Sequence, residues 1–323
     1  MREKIDVLII GGGPSGVVAA VTGKSCYPDK EFMVVRKEKK LLIPCGIPYI
    51  FGSLRSTEKD MLPDEILSKA GVQLKVSEVT SIDPENKVCK LADGEEVSYD
   101  KLVLALGSVP VVPKWLKGVD LENVFTVPKN KEYLDKLLAK IRDFEEIVIV
   151  GGGFIGVEVA DELNKLGKKV TIVELLPHIL GLAFDEEISI RAEELLKSRG
   201  VQIKTGSGVK EILGEGKVEG VLLQNGEKVD ADAVILAMGY RPNTELARKS
   251  GIALNDLGFI KVDGYMRTNY PDIFAVGDCA EKRDFFTGKL ARIMLASVAT
   301  CEARIAAMNL YNLSVVRSFG GTI

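Results

Sequence analysis

The sequence predicts an α/β fold that consists of two similar domains, and three observations support this prediction. Two glycine strings, GGGPSG at residues 11–16 and GGGFIG at residues 151–156, each follow a short apolar run that is typical of a buried strand. A turn signal and a second apolar run that ends in glycine follow each string, so the whole pattern occurs twice. The expected fold class is therefore α/β with two Rossmann-like dinucleotide-binding domains.

The two halves keep a common register, which unrelated glycine loops would not. Gly94, Gly107 and Pro110 are each repeated 132 residues later, whereas the glycine strings themselves are 140 residues apart. In such strings the glycines let the backbone turn tightly and let a pyrophosphate bind at the N-terminus of the next helix. Each half is therefore expected to bind one dinucleotide.

The elements of both halves are expected in the same order. Residues 7–10 and 147–150 predict the first parallel strands. In the second half, a helix over residues 157–166 is expected to end at Gly167 in a left-handed cap. Each half is then expected to contain a hairpin whose turn readily adopts positive φ, Asp93-Gly94 in the first half and Asn225-Gly226 in the second.

After residue 255 the pattern changes, because no third glycine string occurs. Residues 258–262 and 272–276 predict strands that return to the first domain, and residues 295–311 predict a final helix. The expected organisation is a first domain of residues 1–115 and 248–323 and a second domain of residues 116–247.

Composition excludes several classes of protein. The chain has 323 residues, of which 46% are hydrophobic and 28% charged, so it can bury two ordinary cores. A net charge of −3 provides no basic field for nucleic acid. The apolar run near the start is broken by glycines within about ten residues, which is too short for a membrane span or a secretory signal. We therefore expect a cytoplasmic protein with neither nucleic acid nor a membrane as partner.

The five cysteines are an odd number and include neither a CxxC pair nor a zinc-ligand spacing. No metal site is therefore expected. Four of the cysteines are interpreted as small buried apolar residues of a reducing compartment, namely Cys26, Cys89, Cys279 and Cys301.

Cys45 is the exception. It lies in the string LIPCGIPY, where Pro48 suits the first turn of a helix, so the thiol is expected at a helix N-terminus. That position favours the thiolate, which is the nucleophile and the electron partner of a flavin. The alternative is a structural cysteine in a turn bounded by prolines.

The residue that ends the second strand of each half bears on cofactor choice. Glu174 lies 23 residues after Gly151, where a carboxylate accepts hydrogen bonds from the adenosine ribose and repels a 2′-phosphate. This position favours NADH over NADPH in the second domain, with a surface acid as the alternative. The first half has Arg36 and Lys37 at that place, so the residue that contacts the adenosine of the first cofactor is not identified.

Two further strings carry a family resemblance. Residues 268–280 (TNYPDIFAVGDCA) resemble the second FAD signature of flavoproteins with two dinucleotide folds. PCGIPY, both glycine strings and GYRPN at residues 239–243 together resemble the coenzyme A disulfide reductase, NADH oxidase and NADH-polysulfide oxidoreductase group of the pyridine nucleotide-disulfide oxidoreductases. The resemblance covers the whole chain and implies the glutathione-reductase-like FAD/NAD(P) fold.

The resemblance also implies an activity. Hydride would pass from NADH through FAD to Cys45, which in this group cycles between a thiolate and a mixed disulfide or sulfenate. The acceptor would be a small molecule, either coenzyme A disulfide, polysulfide or oxygen. Asp278 corresponds to the residue that binds the ribityl chain of FAD, although Gly277-Asp278 alone could be a turn with a helix cap.

These considerations give two sets of candidate cofactor-binding residues beside the catalytic candidate Cys45. The FAD set is Gly11, Gly13, Pro14, Ser15, Gly16, Arg36, Lys37, Ala105, Gly107, Gly277 and Asp278. The NAD set is Gly151, Gly153, Phe154, Ile155, Gly156, Glu158, Glu174 and Gly239. Glu158 is expected to line the nicotinamide side, or else only to interact with the helix dipole.

The sequence departs from the family pattern in three places. Oxidase and peroxidase members have a catalytic histidine where this chain has Pro14, and the only histidine is His178. Leu41-Leu42 replaces the Ser-Phe that often precedes the cysteine. The resemblance also implies a C-terminal dimerisation domain through which members form homodimers. This sequence is expected to lack it, and the stretch from Val315 is expected to be cut within a linker or at the start of another element.

Two alternatives to a disulfide reductase stay open. A rubredoxin or ferredoxin reductase uses the same two folds without a redox cysteine. A non-catalytic flavin-binding or redox-sensing module would fit Arg36 and the missing C-terminal domain.

Overall fold

The computed structural model describes residues 2–313 and 318–322. The strands are β1 (Arg2–Ile10), β2 (Phe32–Arg36), β3 (Gln73–Val76), β4 (Val79–Asp83), β5 (Val88–Leu91), β6 (Glu96–Leu104), β7 (Ser108–Pro110), β8 (Val124–Thr126), β9 (Glu146–Val150), β10 (Lys169–Val173), β11 (Gln202–Lys204), β12 (Val209–Leu213), β13 (Gly220–Leu223), β14 (Lys228–Asp230), β15 (Ala233–Leu236), β16 (Tyr240–Pro242), β17 (Ile273–Ala275), β18 (Lys282–Arg283) and β19 (Leu290–Ala291).

The α-helices are α1 (Pro14–Cys26), α2 (Glu65–Lys69), α3 (Lys131–Ile141), α4 (Phe154–Lys165), α5 (Glu186–Ser198), α6 (Glu245–Lys249) and α7 (Ala296–Met308). Short 3₁₀ helices span Pro44–Phe51, Thr57–Asp60 and Gly277–Cys279. Within the part of the chain that the structure describes, no helix combines the length and apolarity needed to cross a bilayer.

The chain forms two compact units. The first comprises Met1–Ile43, Leu62–Val109 and Arg241–Ile323, and the second comprises Pro44–Met61 and Pro110–Tyr240. Compared with the domains expected from the sequence, the main difference is the segment 44–61, which belongs to the second unit because its 3₁₀ helix packs against α4.

The first unit is built on a mostly parallel sheet. β3, β2, β1 and β6 run parallel in that order, and β17 pairs in parallel with the end of β6. The hairpin β4–β5 joins the start of β6 in antiparallel pairing. Helices α1 and α7 pack together, and the buried aliphatic residues of β1, β2 and β6 form the core.

The second unit repeats this plan. β11, β10, β9, β15 and β8 form a parallel sheet in that order, and β12, β13 and β14 form a separate antiparallel sheet. Val148, Val150 and Val173 of the parallel sheet pack with Val221 and Leu223 of the antiparallel one. The parallel sheets and their glycine-terminated strands confirm the predicted α/β fold class.

Several predicted elements are found close to their expected bounds. α4 ends at Lys165, and Gly167 has the left-handed φ of +79° that the cap requires. Both hairpin glycines also have positive φ, +84° at Gly94 and +89° at Gly226. β17 confirms that residues 272–276 return to the sheet of the first unit.

Two predictions of elements were wrong. Residues 258–262 form no strand, because Ile260 makes only isolated bridges to Leu254 and Ala280. The apolar run reflects burial instead, since the Ile260 side chain is fully buried. The final helix stops at Met308 instead of reaching Tyr311. Val315, Val316 and Arg317 lie outside the described residues.

Candidate functional site

The first glycine loop lies at the carboxyl end of β1 in the first unit. Gly11 N donates to Val35 O at 2.8 Å, and Ala105 N donates to Ile10 O at 2.9 Å, so the loop is bonded to the strands on both sides. A Cβ built on Gly16 would lie 1.9 Å from the carbonyl oxygen of Gly11. Only glycine at position 16 therefore lets α1 approach the loop this closely.

The second glycine loop has the same geometry in the second unit. Gly151 N donates to Val173 O, and Ala237 N donates to Val150 O, both at 2.8 Å. A Cβ on Gly156 would lie 2.0 Å from the carbonyl oxygen of Gly151. The internal duplication seen in the sequence is therefore also a duplication of backbone geometry.

Both loops present a helix N-terminus to open space. The N-cap residues of α1 and α4 are Gly13 and Gly153, which have no side chain to satisfy the first amide groups of the helix. A Cβ at either position would meet no atom within 4 Å. The free amides and the helix dipole suit a phosphate group, so both sites fit a dinucleotide.

The second unit has an open cavity of about 550 Å³ beside its glycine loop. This volume is in the range of cofactor sites. Residues predicted to bind the second cofactor make up part of its lining, namely Gly151, Gly153, Phe154, Ile155, Glu174 and Gly239. The other two predicted residues, Gly156 and Glu158, lie on α4.

Glu174 is fixed against the second glycine loop. Its Oε2 accepts a hydrogen bond from Gly152 N at 2.6 Å, and its Oε1 accepts one from Leu176 N at 2.8 Å. Among the described residues that line the cavity, none is Lys, Arg or His. The cavity therefore offers a carboxylate to ribose hydroxyls but no cation to a 2′-phosphate.

Arg36 takes the corresponding place in the first unit. A Cβ on Gly12 would lie 2.8 Å from Arg36 Cδ, just as one on Gly152 would lie 3.2 Å from Glu174 Cβ. The buried guanidinium pairs with Asp64 at 2.7 Å and donates to the carbonyl oxygens of residues 38 and 39. The hydrogen bond from Arg36 holds the pKa of Asp64 below its usual value. Arg36 thus orders the segment that follows β2, whereas Lys37 is exposed.

The structure brings Gly277 and Asp278 next to the first glycine loop. A Cβ on Gly277 would lie 2.6 Å from Ser15 Oγ, so this turn touches the first turn of α1. Asp278 Oδ2 accepts a hydrogen bond from Ser108 Oγ at 2.7 Å. Ala105 and Gly107 precede Ser108, so three predicted segments meet at one edge of the sheet: the first glycine loop, residues 105–107 and the Gly277–Asp278 turn.

Cys45 is an exposed residue in the first turn of a 3₁₀ helix. The helix begins at Pro44, so Pro48 lies inside it rather than at its start as the sequence predicted. The interpretation of the other four cysteines as buried was wrong for two of them, since Cys26 and Cys301 are exposed. Burial raises the pKa of Cys89 to about 12 and that of Cys279 to about 11.

Two acidic residues near the cysteine-bearing helix were missed in the sequence. Asp60 is 3% exposed, and a Cβ built on Gly46 would lie 1.7 Å from its Oδ1. Glu162 on α4 accepts hydrogen bonds from both the amide and the hydroxyl of Ser53. Neither carries a motif, because each acquires its role only when distant segments pack together.

Glu158 lies on α4, one turn after Phe154. Burial raises the pKa of its carboxyl group above the usual value. Glu158 is not among the described residues that line the cavity, so its place beside the nicotinamide stays a prediction.

Comparison with known proteins gives a consistent result. Residues 5–303 match the family model described as pyridine nucleotide-disulphide oxidoreductase. The chain is 33% identical to an NADH oxidase from Methanocaldococcus jannaschii, over 94% of this chain and 69% of that protein. It is 36% identical to a CoA-dependent NAD(P)H sulfur oxidoreductase from Pyrococcus abyssi, over 96% of this chain and 70% of that protein.

A solved structure shares the architecture. The reduced CoADR-RHD of Bacillus anthracis superposes with a TM-score of 0.91 at 29% sequence identity. The match covers 99% of this chain but 58% of that one. The chain thus spans about two thirds of the length of the two relatives and less of the solved chain.

Proposed function

Because the chain belongs to the pyridine nucleotide-disulphide oxidoreductase family, we propose that it transfers electrons from NADH through FAD to a sulfur acceptor at Cys45. FAD would be held by the first unit and NADH by the second. The observation that carries this proposal is the exposed thiol of Cys45, on an element packed against the helix that begins at the second glycine loop.

FAD, when bound, supplies a relay that accepts a hydride from the nicotinamide and passes two electrons to a sulfur. The chain's own residues bind and orient the reactants. The amide groups at the start of α1 would hold a pyrophosphate, and Asp278 would accept hydrogen bonds from the ribityl chain. In the second unit, Glu174 would accept hydrogen bonds from the adenosine ribose.

Cys45 would act as the nucleophile toward a disulfide. Its thiolate attacks one sulfur of the substrate RSSR′, which forms a mixed disulfide and releases R′S⁻. Two electrons from NADH then break the mixed disulfide, which regenerates the Cys45 thiolate and releases RS⁻. Overall, NADH, one proton and RSSR′ give NAD⁺, RSH and R′SH.

A sulfur acceptor is favoured over oxygen by the residue at position 14. Pro14 stands where the oxidase and peroxidase pattern has a histidine, and a proline can neither donate nor accept a proton. The name of the Pyrococcus relative, a CoA-dependent sulfur oxidoreductase, supports the same choice. The acceptor we propose is therefore coenzyme A disulfide or polysulfide.

Flavin reduction tests the cofactor assignment. In stopped-flow experiments that follow flavin bleaching at about 450 nm, NADH is expected to react faster than NADPH, because the cavity presents Glu174 and no cation. Glu174→Ala is expected to narrow the difference by removing the charge that repels a 2′-phosphate. Glu227→Ala, an exposed acid of the same unit, serves as the matched control. A preference of the unmodified chain for NADPH would contradict the assignment.

A further inference from the structure

A buried ion pair lies behind the Gly277–Asp278 turn. The side chains of Lys282 and Glu302 are both fully buried, and Lys282 Nζ lies 3.3 Å from Glu302 Oε1. Removing two such charges from water costs about as much as their attraction returns, so the pair is weak support for a role in stability alone. Its hydrogen bonds indicate what else it does.

The pair holds one peptide segment from two sides. Glu302 Oε2 accepts a hydrogen bond from Gly277 N at 2.7 Å. Lys282 Nζ donates to Gly277 O at 2.7 Å and to Ala280 O at 3.1 Å. These charge-assisted bonds fix the backbone on either side of Asp278.

The turn needs this support because of its conformation. Gly277 has a φ of +76° and lies so close to α1 that a Cβ would be 2.6 Å from Ser15 Oγ. Its amide is bonded to the Glu302 side chain instead of to a neighbouring strand. A small shift of this peptide would move both the contact with α1 and the carboxylate of Asp278.

We propose that Lys282 and Glu302 are positioning residues for flavin binding, which hold the Gly277–Asp278 turn in the conformation that FAD requires. This inference rests on the proposed function, in which that turn contacts FAD. Neither residue touches the cofactor in this scheme, since both act through the backbone of the turn.

A charge-free double variant separates positioning from stability. Lys282→Met with Glu302→Gln removes both buried charges but keeps an acceptor for Gly277 N. The apoprotein is expected to melt within a few degrees of the unmodified apoprotein, because no unpaired buried charge remains. Its Kd for FAD, measured by quenching of flavin fluorescence, is expected to rise about tenfold or more, because the donors to Gly277 O and Ala280 O are lost.

Further measurements make the outcome decisive. Glu193→Gln, which alters a buried carboxylate of the second unit, is the control and is expected to leave the Kd for FAD unchanged. If the double variant does not fold, Lys282→Met alone carries the same expectation, because a lone buried Glu302 can take up a proton. An unchanged Kd in the folded variant would overturn the inference, whereas an unmodified chain that binds no FAD would overturn the proposed function itself.

Discussion

The buried carboxyl group of Asp60, next to the cysteine-bearing 3₁₀ helix, is expected to make the stability of the fold depend on pH. Among the described residues its Oδ2 has no hydrogen-bond partner, and burial raises the pKa of its carboxyl group to about 6 from the ordinary 3.8. The folded state therefore binds more protons than the unfolded state between these values. The stability that this group contributes is complete below pH 3.8 and is lost as the pH rises through about 6.

Asp60→Asn, which is neutral at every pH, is expected to become more stable than the unmodified chain as the pH rises. The difference in the free energy of unfolding should grow by about 2 kcal/mol between roughly pH 4 and pH 7. Denaturant titrations at several pH values measure it. Asp143→Asn, at an exposed site, is the control, and a difference that stays constant with pH would contradict the burial argument.

Asp278 is expected to contribute directly to FAD affinity. Asp278→Ala removes a carboxylate that would accept the ribityl hydrogen bonds and should weaken binding by about 1.5–3 kcal/mol. Flavin content after purification and the Kd of the apoprotein for FAD both report this change. Asp256→Ala, in an exposed turn of the same unit, should bind FAD normally, and an equal loss in both variants would refute a specific role.

Residues with a local signature were predictable, and residues defined by packing were not. The position of Glu174 beside the second glycine loop could be predicted, because one helix and one strand set its distance from the glycine string. Glu162 and Ser53 are 109 residues apart, and Lys282 and Glu302 lie on separate elements of the first unit. No spacing in the sequence marks such pairs, because they meet only when the elements pack.

At the scale of elements, the 3₁₀ helix Pro44–Phe51 depends on α4. Glu162 is 2% exposed and binds the amide and hydroxyl of Ser53, just beyond the end of the 3₁₀ helix. A Cβ on Gly52 would lie 2.3 Å from Glu162 O, so the chain passes very close to α4. The cysteine-bearing helix is therefore anchored at its C-terminal end.

Glu162→Ala is expected to loosen this anchor. The free energy of unfolding should fall by about 1–3 kcal/mol, because the donors of Ser53 lose a buried acceptor. Amide hydrogen exchange should become faster over the residues of the 3₁₀ helix. Asp161→Ala, on the same helix but paired with Lys165 and Arg199 nearer the surface, should cost less than about 1 kcal/mol and leave that exchange unchanged. Equal exchange in both variants would argue against the anchor.

The glycine signals for turns and for a helix cap predicted where elements end, whereas one apolar run wrongly predicted a strand. The cap at Gly167 and the turns at Gly94 and Gly226 follow from a φ that glycine adopts easily. The apolar residues 258–262 indicated a strand because a run of buried side chains looks the same whether or not the backbone pairs. Phe259 and Ile260 are buried, but their segment is joined to its neighbours only by isolated bridges.

At the scale of the whole molecule, the duplication is the feature that the sequence revealed most completely. The repeated glycines predicted two parallel sheets, and both glycine loops have matching hydrogen bonds and close contacts. Assignment of residues 44–61 to the second unit could not be foreseen, because the segment follows the second strand of the first unit in the chain. The segment belongs to the second unit because it packs against α4.

The most direct test of the proposed function is the replacement of Cys45 by serine in a chain loaded with FAD. Serine cannot form a mixed disulfide, so NADH-dependent reduction of coenzyme A disulfide or polysulfide should be abolished while NADH still bleaches the flavin at the normal rate. Cys301→Ser, which removes another exposed thiol, should retain the activity of the unmodified chain. If the Cys45→Ser variant kept its disulfide or polysulfide reductase activity, the cysteine would be structural and a flavin electron-transfer reductase would be the better description.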